Sequence, residues 1–135
     1  MQRELEDLVR QRAGNRCEYC QLSAQVVPDL AFEIDHIIAK RHRGPTRAGN
    51  LCQACFACNN HKQANISGID PVSKKLTPLF NPRRHKWTKH FRWDGPILVG
   101  LTPIGRVTVI VLEINLDYRV DLRRSLIDEG VFPPV

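Results

Sequence analysis

Cys17 and Cys20 flank two residues, and a second cluster, Cys52, Cys55 and Cys58, follows about thirty residues later. Two C-x2-C pairs can close a tetrahedron of thiolates round Zn2+. The second cluster offers two frames, Cys52 with Cys55 or Cys55 with Cys58. The later frame is favoured, because cysteines at i,i+3 let a knuckle run into a helical turn; Cys52 is then a small buried thiol. Four thiolates leave no open coordination position, so Cys17, Cys20, Cys55 and Cys58 are expected to hold a structural ion. Burial alone gives cysteines no reason to fall in pairs, and a redox C-x-x-C needs a βαβ context that is missing here.

Asp35 and His36 form a second constellation. A carboxylate can bind a hard cation, and a neutral imidazole can accept a proton. Adjacent strand residues point to opposite faces, so one of the two should reach a given site unless a strand end or bulge relaxes the alternation.

Charge suggests the partner. The chain has 20 Lys/Arg and 14 Asp/Glu, a formal net charge of +6. Residues 1–36 hold four basic and seven acidic side chains, and residues 93–135 hold four and six. Residues 37–92 hold twelve basic side chains and one acid, Asp70, a net of +11. A polyanion explains that block best, since each phosphate contact releases counterions. A membrane surface fits poorly, because no basic amphipathic helix carries an aromatic face. No apolar run is long enough to span a bilayer, and the opening MQRELEDLVR lacks the apolar stretch of a secretory signal. The expectation is an intracellular, cytoplasmic protein, where clustered cysteines bind metal more often than they form disulfides.

These residues need elements to position them. Leu5, Leu8 and Val9 at helical spacing, acids early and arginines late, predict a helix over 3–13 with Gly14 as its stop. Residues 31–38 read as a strand ending near Asp35-His36. Residues 39–49 form a basic loop, and 56–65 a short helix that begins in the second knuckle. From 67 to 90 the pattern is irregular, broken by Pro71, Pro78 and Pro82. A hairpin over 91–100 turns at Asp94-Gly95. Thr102-Pro103 caps a helix over 103–114, although its valines and isoleucines also suit a strand. A last helix covers 118–129.

Taken in order, Glu33-Ile34-Asp35-His36-Ile37-Ile38, Gly44-Pro45-Thr46, Asn50-Leu51 and Cys55-x2-Cys58-Asn59-x2-Lys62 resemble the HNH endonuclease family over about residues 10–66. The resemblance implies a ββα-metal fold: two short strands, a helix and one divalent ion between them. It makes His36 the general base, Asp35 and Asn59 the holders of catalytic Mg2+ or Mn2+, and Asn50 the residue that fixes the loop. The last position departs from the family's letters, being Asn59 and not His. His61 is a rival, but it lies about 200° round the helix from Asn59, so both cannot face one ion. Lys40, Arg41, Arg43 and Lys62 are candidate phosphate contacts, and Arg83 and Arg84 join them from the segment beyond. The aromatics Phe80, Trp87, Phe91 and Trp93 are expected to pack that segment onto the core more than to stack on bases.

The expected fold is α+β: a small zinc-bound ββα-metal core with an N-terminal helix and a C-terminal extension of a hairpin plus helices. Its divisions are a nuclease core over 1–66, an irregular basic linker over 67–90 and an extension over 91–135 packed on the core. The expected activity is hydrolysis of DNA phosphodiester bonds, on duplex, branched, nicked or single-stranded DNA, with RNA left open. The competing expectation is a zinc-stabilised nucleic-acid-binding module without catalysis.

Overall fold

The computed structural model describes residues 1–134. Helix α1 spans Arg3–Arg12 with Glu4 and Glu6 in its first turn and Arg10 and Arg12 in its last, the order the helix dipole favours. It buries Val9 and stops before Gly14, which takes a left-handed φ of 62° that costs glycine nothing. A knuckle follows, closed by Cys17 N donating to Leu22 O at 2.9 Å.

Strand β1 (Phe32–His36) pairs antiparallel with β2 (Leu51–Cys55), placing Asp35 opposite Cys52 and His36 opposite Leu51. Every residue of β2 is buried, because α1 packs on the sheet and helix α2 (Phe56–Lys62) contacts both strands. The last-turn arginines of α1 reach over the sheet: Arg10 donates to Gln53 Oε1 at 2.9 Å and Arg12 to Leu51 O at 2.7 Å. Strand, strand and helix thus follow one another as the sequence led one to expect.

The 37–50 connection contains two single turns of 3-10 helix and is held by Asn50. The Asn50 side chain accepts from Ile38 N (2.9 Å) and donates to Ile38 O (3.0 Å) and Pro45 O (2.9 Å). Gly44 has to be glycine here, since a Cβ would stand 1.7 Å from Ile38 O.

Residues 67–90, expected to be irregular, carry a small hairpin of β3 (Ser67–Ile69) and β4 (Leu76–Pro78) and a one-turn helix α3 (Trp87–His90). Strands of three residues are too short to leave a periodic signal, and Pro78 sits at a strand end, where prolines are tolerated. The buried Asp70 carboxylate nucleates the turn: it accepts from Val72 N and Ser73 N and takes a two-pronged contact from Arg106. That guanidinium holds the carboxyl well below the ordinary range.

Strands β5 (Phe91–Asp94) and β6 (Ile97–Gly100) form the expected hairpin, followed by α4 (Pro103–Val111) and α5 (Asp117–Asp128). Thr102 caps α4 by accepting from Gly105 N, so cap and proline decide for helix over the β-branched content. Leu22, Ile37, Ala54, Leu79, Phe80, Phe91, Leu98, Val107, Leu112 and Leu126 belong to one buried cluster that joins the first half of the chain to the second. Phe80, Trp87, Phe91 and Trp93 all pack. Trp87 Nε1 donates to Tyr19 O at 2.9 Å and Trp93 Nε1 to Gln21 Oε1 at 3.0 Å, so linker and extension both grip the first knuckle. No helix among the described residues is long and apolar enough to cross a membrane.

Candidate active site and metal centre

Four buried sulfurs, those of Cys17, Cys20, Cys55 and Cys58, lie within 4.8 Å of one another. A tetrahedron with Zn–S bonds of about 2.3 Å separates its sulfurs by roughly 3.8 Å. Cys20 Sγ and Cys55 Sγ are 3.7 Å apart. The donor set and the spacing both fit zinc. Cys20 N points at Cys17 Sγ and Cys58 N at Cys55 Sγ, both at 3.4 Å, the turn geometry of two knuckles. The later cysteine frame is therefore the one the fold uses.

Cys52 lies outside this cluster. Burial and the nearby Asp35 charge push its thiol far up, so it stays protonated and donates to Tyr19 Oη and Asp35 Oδ2 at 3.5 and 3.7 Å.

Asp35 is the centre of a buried polar node. Its Oδ2 accepts from Tyr19 Oη at 3.0 Å and stands 3.1 Å from Lys62 Nζ. Lys62 also donates to His36 O at 3.1 Å. Burial raises the Asp35 carboxyl, and Lys62, Tyr19 and Cys52 oppose the rise by favouring the charged form. Two residues before it on the same strand face, Glu33 accepts from Asn59 Nδ2. Asn59 and Lys62, one turn apart on α2, thus meet Glu33 and Asp35 on β1. Asn59 Oδ1 has no hydrogen-bond partner among the described residues, and a carboxylate offers about four acceptor sites. Oxygens of Glu33, Asp35 and Asn59 are the kind of donors a hard divalent ion takes.

His36 points off the other face at the end of β1. Its Nε2 lies 2.8 Å from Thr46 Oγ1 in the loop that Asn50 fixes. Partial burial and then Lys40 hold the imidazole below its ordinary value, against the pull of Asp35. That direction favours the neutral imidazole.

The ββα unit thus carries paired knuckles, a strand-end Asp-His and an Asn on the following helix. Residues 17–65 match the family model described as HNH endonuclease. Over this segment, 49 of the 135 residues, the chain is similar to that family. No curated protein and no solved structure matches the chain.

The fold sorts the expected surface cations. Lys40, Arg41 and Arg43 are exposed on the loop beside His36, and Arg84 is exposed beyond it. Lys62 needs correction: at 1% exposure it is buried and spends its charge on Asp35 instead of facing solvent. Arg83 is likewise committed, as the ion-pair partner of Glu18 in the first knuckle. His61, the rival of Asn59, is half-buried on α2.

Four residues of this site and its surroundings escaped the sequence reading. Tyr19, Glu33 and Thr46 all stand inside recognised motifs: Tyr19 beside Cys20, Glu33 two residues before Asp35, and Thr46 in the loop between His36 and Asn50. Their place in those motifs was the available signal. Arg119, which donates to Cys58 Sγ at 3.0 Å, lies 61 residues from its partner and gave none.

Proposed function

We propose that this chain is an endonuclease that hydrolyses DNA phosphodiester bonds, with His36 as general base. The observation carrying the reading is the meeting of α2 with β1: Asn59 and Lys62 face Glu33 and Asp35, while His36 stands at the strand end against Thr46. A zinc knuckle alone has no use for that arrangement.

In this reading His36 Nε2–H donates to Thr46 Oγ1, which fixes the tautomer and leaves the Nδ1 lone pair to take a proton from water. Asp35 and Asn59 hold Mg2+ or Mn2+, with Glu33 orienting the Asn59 amide so that its oxygen faces outward. When bound, such an ion offsets negative charge on the departing 3′ oxygen. Lys62 favours the ionised form of Asp35 against the effect of burial. Lys40, Arg41, Arg43 and Arg84 contact phosphates, and the four thiolates hold a structural Zn2+. Residues 1–66 carry the chemistry, and 91–135 brace them.

The deciding experiment is Mg2+- or Mn2+-dependent cleavage of supercoiled plasmid by wild type and His36→Ala at matched zinc content. Cleavage by wild type alone supports the reading, and equal cleavage by both overturns it. One observation favours a second reading, a zinc-stabilised binding module: Asp35 is already engaged by Tyr19, Lys62 and Cys52. That reading expects salt-sensitive DNA binding and no cleavage with either ion.

A further inference from the structure

Arg119 on α5 is 5% exposed, and its guanidinium is divided between two tasks. Nη1 donates to Leu112 O at 2.8 Å and Glu113 O at 3.1 Å, carbonyls just past the last residue of α4 that have no helical partner. Nη2 turns the other way, 3.0 Å from Cys58 Sγ and 3.8 Å from Cys55 Sγ. One turn further along α5, Arg123 is 2% exposed and donates to Pro96 O, Ile114 O and Asn115 Oδ1. Both arginines line, with Cys20 and Cys55, one cavity of about 110 Å3 between the knuckles and α5.

A divalent ion inside four thiolates leaves a net charge of −2, and burying uncompensated charge is costly. Two buried guanidinium groups bring +2 to the same region. Of the pair, Arg119 is the one whose hydrogens reach sulfur, and a hydrogen bond to a charged acceptor is the stronger kind. Capping α4 would need only Nη1. The orientation of Nη2 is explained by the sulfur cluster.

We propose that Arg119 is an outer partner of the zinc centre, so that retention of the ion by knuckles at residues 17–20 and 55–58 depends on a helix near the other end of the chain. By hydrogen bonding to Cys58 Sγ at 3.0 Å, and more weakly to Cys55 Sγ at 3.8 Å, it holds both ligands in place and slows their release of the ion. The extension is then part of the metal-binding unit.

The test is the rate of zinc transfer from the zinc-loaded full chain to a chromogenic chelator, compared for wild type, Arg119→Met, Arg119→Lys and Leu126→Ala. The last variant loosens the packing of α5 without changing charge. Arg119→Met is expected to lose zinc about ten- to a hundredfold faster, the usual effect of removing a partner that orients metal ligands. Arg119→Lys, which keeps the charge but not the planar fork, should fall between them with circular dichroism unchanged. A rate for Arg119→Met within twofold of wild type overturns the proposal, as does equal acceleration by Leu126→Ala. Should Arg119→Met fail to fold, Arg119→Lys decides alone: faster release with native circular dichroism supports the proposal, and an unchanged rate overturns it.

Discussion

Lys62 Nζ stands 3.1 Å from Asp35 Oδ2 with both side chains almost wholly buried, so the one basic residue buried in α2 belongs to the acid of the Asp-His pair. Removing one partner of a buried ion pair costs about 3–5 kcal/mol, because the other charge is left stranded. Lys62→Met should lose that much stability in urea denaturation of the zinc-loaded protein. Burial already raises the Asp35 carboxyl, and losing Lys62 raises it further. A raised acid is stabilising below its unfolded value, and that contribution is lost as pH rises through the folded value. The penalty of Lys62→Met should therefore be larger at pH 7 than at pH 5 when no Mg2+ is added.

The second prediction concerns His36. Its depressed pKa puts the acidic limb of kcat/KM below the ordinary histidine value of about 6.5. Lys40→Ala removes one of the charges that depress it and should move the limb upward. A profile of plasmid cleavage against pH, with and without that substitution, checks both the position and the direction.

Thr46 gives a third. If its hydroxyl sets the imidazole tautomer, Thr46→Val should lower kcat by about tenfold or more while KM stays near wild type. Thr46→Ser should restore most of the loss. A fall in KM and kcat together with an unrestored serine variant would count against the assignment.

Cysteine substitutions give a fourth. Cys17→Ser or Cys58→Ser should abolish stoichiometric zinc and native folding, since binding free energy at such a site is folding free energy. Cys52→Ala should keep one zinc per chain. Metal content by atomic emission separates the two outcomes, and zinc loss from Cys52→Ala would reinstate the earlier cysteine frame.

The cations near the site make a fifth. Each phosphate contact contributes about 0.9 to the slope of log K against log salt for duplex DNA. Arg84→Ala and Arg41→Ala should each lower the slope by roughly that amount. Arg83→Ala should lower it less, because Arg83 spends its charge on Glu18.

The parts of this fold that were legible in sequence are those where chemistry restricts spacing. Thiolate pairs need knuckles, a proline after threonine needs a cap, and Asp94-Gly95 needs a turn, so zinc site, α4 and the terminal hairpin could be placed. Lys62 shows where that logic stops. Helix periodicity put it on the face of Asn59, but nothing local says that Asp35 waits across the strand, so it passed for a surface charge. Asp70 and Arg106 are a pair of the same kind, joined across 36 residues. Three-residue strands such as β3 are decided by the helices they lie against, and α4 is far off in sequence.

Tyr19 occupies one of the two spacer positions of the first knuckle, yet its hydroxyl ends on Asp35. Its neighbour Glu18 is no freer: it accepts from Gln53 N and pairs with Arg83. The spacer is therefore not filler between ligands. A knuckle borrowed from an unrelated zinc protein could carry the same ion with the same geometry and still leave Asp35, β2 and the following segment each short of a contact. The loop is interchangeable as a metal clasp but particular to this chain as a hub.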